Sequence, residues 1–486
     1  MKELLEYLQK IADLNYISTL MHWEMDTIAP TKSIDYLINV KTQVEVESFK
    51  LSTSPEFKTL VDNVINSNEF KDLTIEEQIY LKELQEDYER EARIPKDFYE
   101  EYSSLCSKSN AIWLEAKQKK DYLIFKPYLE KIINYTKKYY SYKYPNSQNL
   151  YDDMLNEYER GLTSAIIDPL FTKLKKELIP LIKKLKPTKI GVPQISYTNE
   201  ELLDIAHLLL DYIGFDNERG ALGIYPHGYT CKLNNNDIRI TFSNNKSIFD
   251  HVCTVIHEGG HGIFEQNIND NLTKYPIYDI NKYALHESQS RFYENILGRN
   301  INFWIPIYDK LKPKLKVDIS LEDFVSYLNK AEPSLIRTEA DELTYCFHII
   351  LRYEIEKDIF NNKISVEDLP TIWNSKMKEY LGIEVPNDAE GLLQDVHWSQ
   401  GSFGYFPSYL LGSIFDGMLL QNINYALGNV DDILKEGRIK DITKYLNQQI
   451  HNYGGAYNIK EVAEKLCHQE LSSEPLINYF KNKYQK

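Results

Sequence analysis

Apolar residues recur every three to four positions through most of this 486-residue chain, a period that makes helices packed on one another the principal architecture. Leu4, Leu5, Leu8, Ile11 and Leu14 form one such stripe, and Phe171, Leu174, Leu178 and Leu181 form another. Only 20 Gly and 18 Pro are present, fewer than an average chain of this length carries, which favours long helices over turn-rich β architecture. Ile94-Pro95, Lys126-Pro127 and Lys186-Pro187-Thr188 are the expected helix stops, because the residue before a proline is pushed out of the helical region. The Lys/Glu runs between 70 and 120 read as solvated helix faces. No Gly/Ser linker, repeat or low-complexity tract marks a boundary. Length alone would allow about three domains, but the expectation is one large, mostly α domain over 1–486. Its N-terminal helical part covers about 1–220 and a second part about 221–486.

Residues 229–242 break the rhythm. Asp237, Arg239 and Thr241 alternate with Ile238, Ile240 and Phe242 after an Asn234-Asn235-Asn236 turn, the period of a strand, so a small β-hairpin is predicted here. Helical periodicity returns at Ser247 and persists apart from a Gly/aromatic stretch at 398–412.

Charge narrows the function classes. With 72 acidic against 56 basic residues the net charge is −16, a field that repels phosphate backbones and anionic lipid, so no nucleic acid and no membrane partner is expected. Lys2, Glu3 and Glu6 interrupt any leader-like apolar run, and no uncharged run reaches the ~18 residues needed to span a bilayer. A cytoplasmic protein is expected. The five scattered cysteines, without a CxxC pair, fit neither a disulfide framework nor a thiolate metal site.

Five of the 11 histidines (His227, His251, His257, His261 and His286) fall within 60 residues. Among them His257-Glu258-Gly259-Gly260-His261 is an HExxH string, whose i, i+4 histidines project from one helix face and can share a Zn²⁺. Ser247 to Asp250 reads as a capping box, and Val252, Val255, Ile256 and Ile263 line the opposite face, so the string sits on an amphipathic helix. Each glycine costs about 1 kcal/mol in a helix interior, which implies that a metal or substrate backbone comes close at Gly259 and Gly260. A catalytic zinc needs a third protein ligand. Glu287, 26 residues after His261, is the best candidate, on a helix marked by Tyr283, Phe292 and Ile296 with Gly298 as its expected C-cap. Glu287, Ser290, Arg291 and Glu294 share its polar face; His286, Glu265 and Asp270 are alternative ligands. These parts suit hydrolysis of an amide: zinc acidifies a water, Glu258 takes its proton and passes it to the leaving amine. The oxyanion calls for a further donor, a Tyr hydroxyl or a protonated His.

Four blocks in order then resemble the carboxypeptidase Taq type of metallopeptidase, family M32: HEGGHG (His257–Gly262), HESQS (His286–Ser290), IRTEADELTY (Ile336–Tyr345), and GLLQDVHW (Gly391–Trp398) running into GSFGYFPSYLLG (Gly401–Gly412). Asp237-Ile-Arg239-Ile-Thr241 is similar to the family's DxRxT, and Trp23–Thr27 and Tyr151–Gly161 also resemble family segments. The resemblance implies a helical, single-domain zinc carboxypeptidase, usually a homodimer, that removes C-terminal residues singly with broad specificity, and it implies Glu287 as third ligand. Where the family has HPF, this chain has His227-Gly228-Tyr229, so the shape of that substrate loop does not carry over. Tyr405, in the Gly404-Tyr-Phe-Pro407 turn, resembles the oxyanion-stabilising tyrosine of related helical zinc peptidases, and His397 lies near it in sequence. Arg337 and Arg352, with Arg239 behind them, are candidates to grip the substrate carboxylate, since the guanidinium fork matches two oxygens. Glu339, Asp341, Glu342, Glu354 and Glu356 offer these arginines structural ion pairs, and Asp341 or Asp395 could orient the ligand histidines.

The resulting expectation is a zinc exopeptidase with a deep central groove, open to short peptides and closed to folded proteins. Co²⁺ or another divalent cation could replace zinc, because His₂Glu ligation does not fix the metal. Two other readings are a dipeptidyl-carboxypeptidase or oligoendopeptidase on the same scaffold, and a catalytically silent peptide-binding protein.

Overall fold

The structure, a computed structural model, describes residues 1–185, 195–275 and 283–485. The described chain is mostly helix, and its strands are confined to Gly220–Phe242. It divides into two compact units, each built from three stretches. The first comprises Met1–Glu89, Ile190–Asn329 and Leu419–Gln469; the second comprises Arg90–Lys189, Lys330–Met418 and Glu470–Lys486. The change of pattern near residue 220 is thus where the strands begin, inside the first unit, and not a boundary between units.

The apolar stripes become core. Leu4, Leu8 and Ile11 are buried on Lys2–Thr27, and Phe171, Leu174, Leu178 and Leu181 on Ser164–Ile182. The helix Ile75–Glu91 ends ahead of Ile94-Pro95 as expected, and Pro95 stands at the N-cap of the next helix, Lys96–Lys119. Pro127 does not stop a helix: it lies inside Tyr122–Lys143, whose start is set by the Asp121 side chain accepting from Leu123 N. As the sixth residue of that helix it forfeits one ladder bond, the one an N–H there would give to Leu123 O. The Pro187 stop lies outside the described residues.

In the first unit the alternating segment is a hairpin, β2 (Tyr229–Asn234) with β3 (Asp237–Phe242), in the register Tyr229↔Thr241 and Cys231↔Arg239. Ile238, Ile240 and Phe242 point into the core. A third strand, β1 (Gly220–Ile224), adds parallel to β3, giving the order β1-β3-β2. Its Gly-Ala-Leu-Gly-Ile sequence has no alternation to announce it.

Packed on this sheet is the helix Ile248–Gln266, which carries HExxH. Ser247 starts it by accepting from Asp250 N at 3.2 Å. Its hydroxyl donates to Asp250 Oδ2, so the cap is not the reciprocal box that the sequence suggested. The glycines answer to protein packing. A Cβ at Gly259 would lie 2.6 Å from Ile213 Cδ1 on the helix Asn199–Ile213, and one at Gly260 would lie 2.7 Å from both Gln289 O and Ser290 Cα. The expected reason, space for a metal or substrate backbone, is replaced by a helix crossing at van der Waals contact. Gly298 is a C-cap, as expected, but with a φ of −67° it stays in the right-handed region and not the left-handed one that favours glycine there. The segment Phe292–Leu297 widens into a π-turn, closed by Gly298 N donating to Tyr293 O at 2.8 Å.

In the second unit the helix Tyr345–Phe360 is buried along nearly its whole length and carries His348, Arg352 and Glu356 four residues apart on one face. No helix among the described residues is long and apolar enough to cross a membrane.

Two consequences are measurable. Gly260→Ala pushes a methyl into the backbone of Gln289 and Ser290, which cannot rotate aside, so it should cost about 1–3 kcal/mol in urea unfolding. His251, buried with Nε2 donating to Leu202 O, has its pKa pulled down by burial to about 4. The unfolded ring takes its proton near pH 6.5 and the folded ring only near 4, so stability present above pH 6.5 is lost as the pH falls through that window. The expected slope from this group approaches about 1.4 kcal/mol per pH unit, and it should disappear from the stability–pH curve of His251→Gln.

Candidate metal and active site

The crossing at Gly260 brings the HExxH helix against the helix Tyr283–Arg291, and with it two imidazoles against a carboxylate. Ligand atoms of His257, His261 and Glu287 all lie within 4.8 Å of one another, the only such cation-holding set among the described residues. The spare atoms of all three are occupied. His257 Nδ1 meets Glu294 Oε2 at 2.9 Å. His261 Nδ1 meets His286 Nδ1, and Glu287 Oε1 accepts from Arg291 Nε at 2.6 Å. That leaves Nε2, Nε2 and Oε2 for a cation; His261 Nε2 and Glu287 Oε2 are 3.7 Å apart. Two imidazoles and one carboxylate, oriented by such partners, fit a divalent ion of the zinc type.

The alternative ligands are spent elsewhere. His286 Nε2 bonds Glu265 Oε1 at 2.8 Å, Glu265 Oε2 accepts from Lys232 Nζ at 2.8 Å, and Asp270 is exposed on a short separate helix. Asp341 and Asp395 do not serve the histidines in the way expected; Glu294 does this for His257. Asp341 holds the turn before Tyr345, accepting from Leu343 N and Thr344 N, and Asp395 pairs with arginines.

Electrostatics follow from this packing. Burial alone would favour a neutral His257, but the Glu294 hydrogen bond and the Glu287 and Glu258 charges outweigh it and raise its pKa to about 9. The same acidic shell favours a bound cation. Burial, followed by the imidazoles of His286 and His257, keeps His261 neutral, as a metal ligand must be. Glu258 is buried one position round the helix, and its Oε2 accepts from Thr230 Oγ1 at 2.7 Å. Burial pushes its carboxyl upward against the opposing pull of His257 and Thr230.

His227, also in the first unit, exposes its ring, while its carbonyl accepts from Thr241 Oγ1 at 3.0 Å. Thr241 Oγ1 in turn accepts from Tyr229 N, so the last residue of DxRxT clamps the loop. The Gly228 that departs from HPF is explained locally: a Cβ there would lie 2.5 Å from Thr254 Cγ2, and any proline carries one. Arg239 spends its fork on Asp237, with Nε and Nη2 both at 2.9 Å, and lies 5.6 Å from the Trp23 ring.

The second unit gathers the remaining candidates. Asp395 sits between two guanidiniums, with Arg337 Nη2 at 2.9 Å from Oδ1 and Arg352 Nε at 2.6 Å from Oδ2. Burial alone would raise its carboxyl, but Arg352 and Arg337 hold it well below the usual range. None of the five acids named as ion-pair partners from sequence takes this place. His397 stacks on Tyr405 at 5.5 Å between ring centroids, and its Nδ1 has no hydrogen-bond partner among the described residues. Tyr405 follows Gly404, whose φ is +87° and whose N–H donates to Glu356 Oε2 at 2.9 Å. Glu356 also accepts from Trp398 Nε1 at 2.6 Å and from the Tyr151 hydroxyl at 3.1 Å, so one buried carboxylate fixes the loop at two points ahead of Tyr405.

The family model described as carboxypeptidase Taq (M32) metallopeptidase matches residues 3–484. The chain belongs to that family. It is 38% identical over 492 residues to Carboxypeptidase 1 of Bacillus subtilis, covering 99% of this chain and 97% of the relative. It is 30% identical over 498 residues to Thermostable carboxypeptidase 1 of Pyrococcus furiosus, covering 99% and 98%. Against a solved structure of Pyrococcus furiosus carboxypeptidase the TM-score is 0.93 at 30% identity, with 99% and 98% of the two chains covered. This M32 protein is therefore a metallocarboxypeptidase with the mostly helical fold of its family, and it depends on a divalent metal.

Replacing Glu294 by Gln keeps the shape of the His257 partner and removes its charge. Affinity for Zn²⁺, read by competition with a chromophoric chelator, should fall by about 10–100-fold.

Proposed function

We propose that this M32 enzyme is a zinc-dependent carboxypeptidase that takes single residues from the C-termini of short peptides with broad specificity, as one catalytic domain over 1–486. The observation that carries the reading is the convergence of His257, His261 and Glu287, with Glu258 buried beside them. These three would hold Zn²⁺, and Co²⁺ or another divalent cation suits the same donors. When bound, the ion supplies Lewis acidity, making a water nucleophilic at neutral pH and polarising the scissile carbonyl. Glu258 accepts the proton of the attacking water and returns it to the departing amine nitrogen, a task suited to a carboxyl raised toward neutrality by burial.

The remaining roles fall to the other candidates, Tyr405 by its resemblance to related peptidases, His397 by its place beside it, and the arginines by the match of a guanidinium fork to two carboxylate oxygens. Tyr405 and His397 donate to the oxyanion. Arg337 and Arg352 grip the terminal carboxylate, and the surplus of two guanidiniums over the single Asp395 carboxylate supports a pull on anions. Arg239 stands behind them as a third candidate, with its fork on Asp237, and His227 belongs to the substrate loop. A cytoplasmic homodimer acting on peptides, without nucleic-acid or membrane partners, completes the reading.

Glu258→Gln is expected to retain stoichiometric zinc by elemental analysis and to lose at least about 10³-fold in turnover, because a general base contributes on that scale. Mass spectrometry of a digested peptide should show a ladder in steps of one residue for the unsubstituted enzyme. Steps of two residues, or internal cuts, would instead support the dipeptidyl-carboxypeptidase or oligoendopeptidase reading.

A further inference from the structure

Strand β2 places residues 230 and 232 on one face, two positions apart, with buried Cys231 on the other. Each of the two reaches a different part of the site. Thr230 Oγ1 lies 2.7 Å from Glu258 Oε2 and 3.0 Å from Glu258 O, so its hydroxyl proton is nearer the carboxylate. Lys232 Nζ lies 2.8 Å from Glu265 Oε2, Glu265 Oε1 lies 2.8 Å from His286 Nε2, and His286 Nδ1 meets His261 Nδ1. We propose that β2 is the positioning edge of the centre: Thr230 sets the Glu258 carboxylate, and Lys232, through Glu265 and His286, fixes the ring of His261. The inference rests on the reading of Glu258 as base and His261 as ligand.

Proton order makes the second arm directional. His261 can offer Nε2 to a cation only when its proton is on Nδ1. His286 Nδ1 must then accept that hydrogen bond, which leaves the His286 proton on Nε2, facing Glu265. Glu265 must be ionised to accept it, and the Lys232 ammonium favours that state. Lys232 and Glu265 expose only 8% and 6% of their side chains. A buried ion pair contributes little net stability, so its place is better accounted for by what it orients. The strand is itself fixed, because Thr241 on β3 clamps the loop ahead of Thr230 through Tyr229 N and His227 O.

The two arms predict opposite signatures in the zinc enzyme. Thr230→Val should lower kcat about tenfold or more with KM and zinc affinity unchanged, and Thr230→Ser should restore most of kcat. In a Glu258→Gln background Thr230→Val should have no further effect on the residual rate. Lys232→Met should lower zinc affinity about tenfold by chelator competition and shift the d–d bands of the Co²⁺ form. Lys232→Arg should recover the affinity. Glu265→Gln tests the same arm if the Lys232→Met chain does not fold. Unchanged zinc affinity in a folded Lys232→Met or Glu265→Gln variant overturns the relay, and parallel loss of kcat and zinc in Thr230→Val, or no rescue by serine, overturns the first arm. Full activity of Glu258→Gln sinks the base assignment itself and is recognised separately from either result.

Discussion

The site depends on how closely two helices can approach at one residue. With hydrogen at Gly260, the HExxH helix comes within 2.7 Å, measured from an imagined Cβ, of the backbone at Gln289 and Ser290. Glu287 lies one turn before Ser290, so the contact that excludes a side chain is also the contact that brings the proposed third ligand to the two histidines. Gly259, on a neighbouring face, does the same against Ile213 and Leu210, and Gly262 against Phe215. A helix that gives up about 1 kcal/mol of propensity at each glycine recovers it in packing that holds three ligand atoms in register.

Close approach alone would leave the ligand side chains free to turn. Each is held by a neighbour acting on the atom left outside the candidate cation site: Glu294 for His257, His286 for His261, and Arg291 for Glu287. The three holders differ in charge, and so do their effects. Glu294 enriches negative charge around His257, Arg291 offsets it beside Glu287, and His286 passes the influence of a carboxylate to His261 without placing one there. A cation is thus favoured without an excess of unpaired carboxylates.

Legibility in the sequence tracked how local each feature is. HExxH, its apolar wall and the polar face of Glu287 are properties of single helices, and all appear where the spacing puts them. The Asp237–Phe242 alternation likewise became β3. Glu294 was visible on the right face, seven residues after Glu287, but its partnership with His257 needs the helix crossing, which no local pattern encodes. Strand β1 was missed because Gly220–Ile224 has no polar alternation, and the π-turn because widening by one residue leaves the composition unchanged. The glycines were noticed for the right energetic reason and given the wrong neighbour. Asp395 was the largest misreading: five acids near the arginines in sequence were weighed, and the one that binds both arrives from 43 residues away or more.

That arginine group shows why a buried charge can be informative without being stabilising. Arg352 is fully buried and Arg337 nearly so, and one carboxylate faces both. The nearby histidines do not add to the positive charge, since burial, before the arginines' own repulsion, pulls His348 to about 3, and burial pulls His397 to about 4. Glu356, four residues after Arg352, is a weak counter-charge: burial pushes it up to about 7, and its oxygens serve Trp398, Tyr151 and Gly404. An apolar replacement of similar size would cost less to bury than this arrangement. Retaining two guanidiniums around a single acid is therefore hard to account for by stability, which is why the proposed reading looks to it for the substrate carboxylate.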